Sequence, residues 1–96
     1  MTMLTIRVQQ HHIDEAARLM CNHRRSAADV CPITLAAREA GHARWRTYVR
    51  HFIIDHVKGH SVCLSEEAKR FAAAFDEYVC YGKPQPLPCT LMFEVP

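Results

Sequence analysis

The sequence predicts an α+β fold, in which a mostly antiparallel sheet of about four to five short strands packs against about two to three helices. Apolar residues alternate with polar ones in LTIRV near the start and in CTLMFEV at the end, as in strands with one buried face. Between them, LSEEAKRFAAAFDEYVCYG has the apolar spacing of an amphipathic helix. With 96 residues, the chain is expected to form a single domain, 1–96.

The first strand covers LTIRV, and HHIDEAARLMCNHRR follows it as the first helix. Apolar residues recur there at helical spacing, at Ile13, Ala16, Ala17 and Met20. Asp14 and Glu15 are predicted to lie in the first turn, and Arg24 and Arg25 follow the last turn. This order of charges suits the helix dipole.

Cys31 and Pro32 mark the start of a second helix. Pro32 loses no hydrogen bond at the first helical position, Val30 can pack on Leu35, and Gly41 ends the helix. Amide groups at a helix start can lower the pKa of a thiol and activate it. No histidine or acid at a recognisable local spacing supplies a catalytic base, however. We therefore interpret Cys31 as a buried cap and predict no catalytic residue.

The segment from 43 to 64 has two interpretations. It places an apolar stripe on one face of a helix, at Trp45, Tyr48, Val49, Phe52, Ile53 and Val57. Its aromatic and β-branched residues instead favour strands. We favour three short strands at about 44–49, 51–56 and 60–64, with a turn in VKGH.

The last helix has the clearest boundaries. Ser65 is placed to cap it, Glu66 and Glu67 fill its first turn, and Gly82 ends it. The stretch KPQPLP that follows is predicted to be an extended connector, because proline cannot continue a helix. It directs CTLMFEV into a final strand.

The charges are unevenly distributed along the chain. The formal net charge is +2, and residues 38–58 carry five Lys and Arg side chains against two acidic ones. Residues 59–96 carry three basic and five acidic side chains. Such a dipolar distribution can orient a protein partner, whereas strong nucleic-acid binders usually have a larger basic excess. The charges therefore favour a protein partner over nucleic acid.

The cysteines and the apolar runs indicate a cytoplasmic protein with no membrane association. Five cysteines are an odd number, and none forms a C-x-x-C pair, so we expect free thiols in a reducing compartment. No apolar run approaches the ~20 residues of a membrane span, and MTMLTIRVQQ lacks the pattern of a secretory leader.

Histidines and cysteines are common near the first helix, at His11, His12, Cys21 and His23. Their spacing matches no zinc module, and only His11 or His12 could meet His23 through folding. We therefore predict no metal site and no cofactor.

Several stretches together resemble small proteins encoded by bacteriophages, prophages and other mobile elements. They are TIRV, CPITLAAREAG, LSEEAKRFAAAFDEY and TLMFEV, and the likeness covers most of the chain. The first helix and the segment 42–58 are longer and richer in arginine than the family pattern. Because the family has no assigned activity, the resemblance implies no catalytic or binding residue. It implies a non-enzymatic accessory protein that binds and blocks a host or defence-system protein, as anti-CRISPR proteins do.

The predicted contact patch lies in the basic segment and comprises Arg44, Trp45, Arg46, Tyr48 and Arg50. Arginine and aromatic side chains are the usual anchors of protein interfaces. In the alternative interpretation, Trp45 belongs to the core and the arginines only solvate the sheet. A second candidate function is nucleic-acid binding through 38–58, with bases stacked on an aromatic ring. Edge strands such as LTIRV could also pair with a second copy to form a homodimer.

Overall fold

The described part of the chain combines three helices and five strands in an α+β fold. The computed structural model describes residues 2–20, 30–47, 51–55 and 60–95. The elements follow the order β1 (Thr2–Val8), α1 (Gln10–Met20), α2 (Pro32–Glu39), β2 (Arg46–Thr47), β3 (His51–Asp55), β4 (His60–Cys63), α3 (Glu66–Tyr81) and β5 (Cys89–Val95). The predicted fold class is thereby confirmed.

The described strands form two antiparallel sheets. β1 pairs with β5 along its whole length, from Thr2 opposite Val95 to Val8 opposite Cys89. The other sheet has the order β2-β3-β4. The prediction of a single sheet of four to five strands is therefore wrong, because these sheets have two and three strands. An alternating pattern specifies the buried face of a strand but does not specify its neighbour.

The middle of the chain is built from strands, as the favoured interpretation predicts. Residues 46–47, 51–55 and 60–63 form antiparallel strands, with a register shift between Ile53 and Asp55. The helical alternative is therefore wrong for these residues. Residues 48–50 and 56–59 lie outside the described part.

One hydrophobic core lies between the β1–β5 sheet and the helices. The inner sheet face contributes Ile6, Val8, Leu91 and Phe93, as the alternation predicts. Each helix adds a buried apolar face, which comprises Ile13 and Ala16 of α1, Ile33, Ala36 and Ala37 of α2, and Ala68, Phe71 and Phe75 of α3. The opposite sheet face is exposed at Met3 and Met92. The core thus holds the start of α1 beside α2.

Both ends of α2 follow from local sequence. Cys31 is the N-cap residue and Pro32 is the first helical residue, as predicted. At the other end, Gly41 has φ +109°, a conformation that side chains rarely adopt. Its N–H donates to the Arg38 carbonyl at 3.1 Å, while the next N–H, of His42, donates to the Ala37 carbonyl at 3.0 Å. These two bonds form a Schellman motif that ends the helix just after Glu39.

The structure of α1 differs from the prediction at its start. The helix begins at Gln10, so its first turn contains no acidic residue, and the placement of Asp14 and Glu15 there is wrong. Arg24 and Arg25, predicted to follow the last turn, lie outside the described residues.

We expect Ser65→Ala to lower the free energy of unfolding by about 1 kcal/mol. The Ser65 Oγ accepts a hydrogen bond of 3.2 Å from the Ala68 N–H, which otherwise has no partner inside α3. Urea denaturation followed by far-UV circular dichroism measures the loss. Ser65→Asp is the control, since an aspartate oxygen can replace the hydroxyl. Equal stability of Ser65→Ala and the wild type would contradict this role of Ser65.

Candidate functional site

Two adjacent histidines at the start of α1 meet a glutamate from the end of α2. His11 Nε2 lies 3.1 Å from Glu39 Oε2, and His12 Nε2 lies 3.0 Å from the same oxygen. The two imidazole rings are 4.0 Å apart, measured between their centroids. The His12 side chain is 4% exposed, whereas those of His11 and Glu39 are 57% and 59% exposed. The cluster therefore combines one buried group with two that solvent can reach.

His12 is held in place by the backbone that precedes its helix. The Gln9 N–H donates a hydrogen bond of 2.9 Å to His12 Nδ1. A side chain in the first turn that accepts from the residue before the helix is the arrangement of a capping box, here with histidine as the acceptor. Because Nδ1 accepts, a neutral His12 carries its proton on Nε2. This N–H then donates a hydrogen bond to the Glu39 carboxylate.

The Glu39 carboxylate is stabilised in its ionised form. The hydrogen bond from His11, and next the one from His12, lower the pKa of Glu39 below its ordinary value. The carboxylate also lies at the start of α1, where the partial positive charge of the helix terminus favours an anion. Glu39 is thus ionised at neutral pH and available as an oxygen donor.

An open recess of about 370 Å³ adjoins this cluster, lined by Thr5, Arg7, Gln9, His12, Ala36, Glu39 and Ala40. Within the described ranges, Arg7 is exposed and makes no ion pair. Solvent and small solutes can therefore approach Glu39, next to buried His12, from a side that carries a positive charge.

Trp45, predicted as a contact residue, lies in the core. Its side chain is 0% exposed, and its ring meets Phe93 edge-on with the centroids 5.3 Å apart. Its Nε1–H donates to Thr47 Oγ1 at 2.9 Å. Placing Trp45 on the surface is therefore wrong, and the alternative interpretation that assigns it to the core is confirmed, because the interior satisfies both its apolar ring and its polar N–H.

Arginines lie on either side of this buried tryptophan in the chain. Arg44 is exposed and Arg46 is half-buried. Arg38 of α2 donates a hydrogen bond of 2.9 Å from Nε to the Trp45 carbonyl, so its side chain lies beside this segment. We refer to Arg38, Arg44 and Arg46 as the basic corner. The other two predicted contact residues, Tyr48 and Arg50, lie outside the described part of the chain.

Cys31 is packed in the core, as the capping interpretation predicts. Burial raises the pKa of its thiol to about 11. The N–H groups of Ile33 and Thr34 at the start of α2 act in the opposite direction, and Asp76 adds to the rise. Desolvation thus outweighs the effect of the helix start, and the thiol stays protonated at neutral pH.

Glu39 is the site residue that sequence reasoning missed. It lies 27 residues after His12, and no local spacing connects them. The sequence shows the adjacent histidines His11 and His12, but it suggests only His23 as a further ligand for them. His23 lies outside the described residues. Only the packing of α1 against α2 reveals the third member.

Comparison of the chain with protein-family models, with curated proteins and with solved structures finds no match. The resemblance to proteins of mobile elements therefore stays a prediction. Among the described helices, none has the length and apolar character that crossing a membrane requires.

Proposed function

We propose that the protein acts without catalysis, by binding another protein through its basic corner. The observation that carries this proposal is the fixed position of the chain beneath Arg44 and Arg46. Trp45 and Thr47 alternate with these arginines and are buried, so the segment cannot rotate without opening the core.

Hydrogen bonds reinforce this segment. The Thr47 N–H donates to Thr34 Oγ1 of α2 at 3.0 Å, and both threonines are buried. A rigid support reduces the conformational entropy that a surface loses on binding. Arginines on such a support are suited to form charge-assisted hydrogen bonds with carboxylates.

The proposed partner is a protein with an acidic surface. Nucleic acid is a weaker candidate because the net charge is only +2 and the exposed residues Glu66, Glu67 and Glu77 of α3 repel phosphates. The resemblance to mobile-element proteins further suggests a host or defence-system protein, which the chain would block by occupying its surface.

Affinity capture from bacterial lysates tests this function. We expect the wild-type chain to retain one defined protein assembly. Arg44→Glu should reduce its recovery at least about tenfold, because the new carboxylate repels the acidic groups of the partner. Arg70→Glu is the matched control, because it makes the same charge change at an exposed position of α3.

Thermal unfolding of each variant shows whether its fold is kept. Nuclease treatment of the lysate distinguishes a protein partner from a nucleic-acid partner. Recovery that persists after nuclease treatment and is lost only with Arg44→Glu supports the proposal. Equal recovery by both variants, or recovery of nucleic acid alone, contradicts it.

A further inference from the structure

One ligand atom from each of His11, His12 and Glu39 lies within 4.8 Å of the other two. Two imidazole nitrogens and one carboxylate oxygen are the donor set of open zinc sites, in which water takes the fourth position. The geometry points to a binding site for a divalent first-row transition-metal cation at these three residues, for which Zn²⁺ serves as the probe.

The separations between ligand atoms suit a cation between them. Glu39 Oε2 lies 3.0 Å and 3.1 Å from the two Nε2 atoms. Ligands about 2.0 to 2.2 Å from a tetrahedral Zn²⁺ are separated by about 3.3 to 3.5 Å. All three ligand atoms lie within 4.8 Å of one another, so small shifts of the exposed His11 and Glu39 side chains would adjust their separations to this spacing.

Coordination through Nε2 requires each neutral ring to carry its single N–H proton on Nδ1. A ring that donates from Nε2 to Glu39 must therefore release that proton to solvent while Nδ1 takes one up, so that the ring stays neutral. For His11, whose side chain is 57% exposed, solvent can accept a hydrogen bond from Nδ1. For His12, Nδ1 accepts from the Gln9 N–H, so coordination breaks that hydrogen bond. The loss of this hydrogen bond opposes coordination and makes the Gln9 amide a reporter of coordination by His12.

The fourth position has access to solvent through the recess. The recess also contains Arg7, so an anionic group that coordinates the cation would meet a positive charge there. The recess would accordingly favour a carboxylate as the fourth ligand, and water would take this position where no carboxylate is present.

Titration of the full chain with Zn²⁺ by isothermal calorimetry and native mass spectrometry tests the site. We expect one bound ion in the wild type and affinity reduced at least about tenfold in His11→Ala and in Glu39→Gln, because each removes a ligand. Glu94→Gln, which neutralises an exposed carboxylate on β5, is the matched control and should bind as the wild type does.

Two spectroscopic measurements identify the ligands. Co²⁺ bound at His11, His12 and Glu39 should give no thiolate charge-transfer band, and the Gln9 amide should exchange faster with solvent once metal is bound. Absence of binding, equal affinity in His11→Ala and the wild type, a thiolate band, or an unchanged Gln9 amide would each overturn the three-ligand site.

Discussion

Replacing Trp45 by alanine is expected to lower the free energy of unfolding by about 3 to 5 kcal/mol. The side chain is fully buried in the core, where its ring meets Phe93 of β5. Its loss would leave a cavity and remove the Nε1–H donor to Thr47 Oγ1. Small domains unfold with a total of about 5 to 15 kcal/mol, so this change removes a large part of the stability.

Urea denaturation followed by far-UV circular dichroism measures this loss, since Trp45 is the only tryptophan and its fluorescence disappears in the variant. Trp45→Phe keeps an aromatic ring but no N–H, and should lie between alanine and the wild type. Met92→Ala is the surface control, because Met92 is 53% exposed. A loss below about 1 kcal/mol in Trp45→Ala would show that Trp45 does not belong to the core.

Cys31 in the folded protein should react with iodoacetamide at pH 8 at least about a hundredfold more slowly than an accessible thiol does. With its pKa raised to about 11, only about one thiol in a thousand is ionised at that pH, and the reagent must also reach a buried sulfur. Cys80, which is exposed on α3, provides the comparison within the same chain.

Mass spectrometry of proteolytic peptides, sampled over time, follows each cysteine separately. Labelling in urea is the control, because unfolding should remove most of the difference between Cys31 and Cys80. Similar rates for the two thiols in the folded protein would mean that the helix start activates Cys31. That result would contradict the interpretation of Cys31 as a buried, unreactive cap.

The two stretches around Cys31 and Trp45 show where sequence reasoning is strong and where it is weak. Proline after Cys31 and glycine at position 41 predict a helix between them, and the structure confirms it. Capping depends on atoms only a few residues apart, so the sequence contains the whole interaction. The surface role predicted for Trp45 fails for the opposite reason, because its ring packs against Phe93, which is distant in the chain.

The sheets show the same division. Alternation in β5 correctly predicts that Leu91 and Phe93 are buried and that Met92 is exposed. It carries no information about pairing, and the separation of the strands into two sheets was missed. Backbone hydrogen bonds between strands are the same for every side chain, so packing decides which strand lies beside which.

By itself the sequence determined the α+β class, the three helices, the ends of α2 and α3, and the alternating faces of β1 and β5. Only the tertiary structure decided that β1 pairs with β5, that Trp45 is buried, and that Glu39 meets His11 and His12. The physical reason is distance along the chain. Caps and periodic faces depend on neighbours within about one or two helical turns, whereas each of the other features joins segments that the packing of the core brings together.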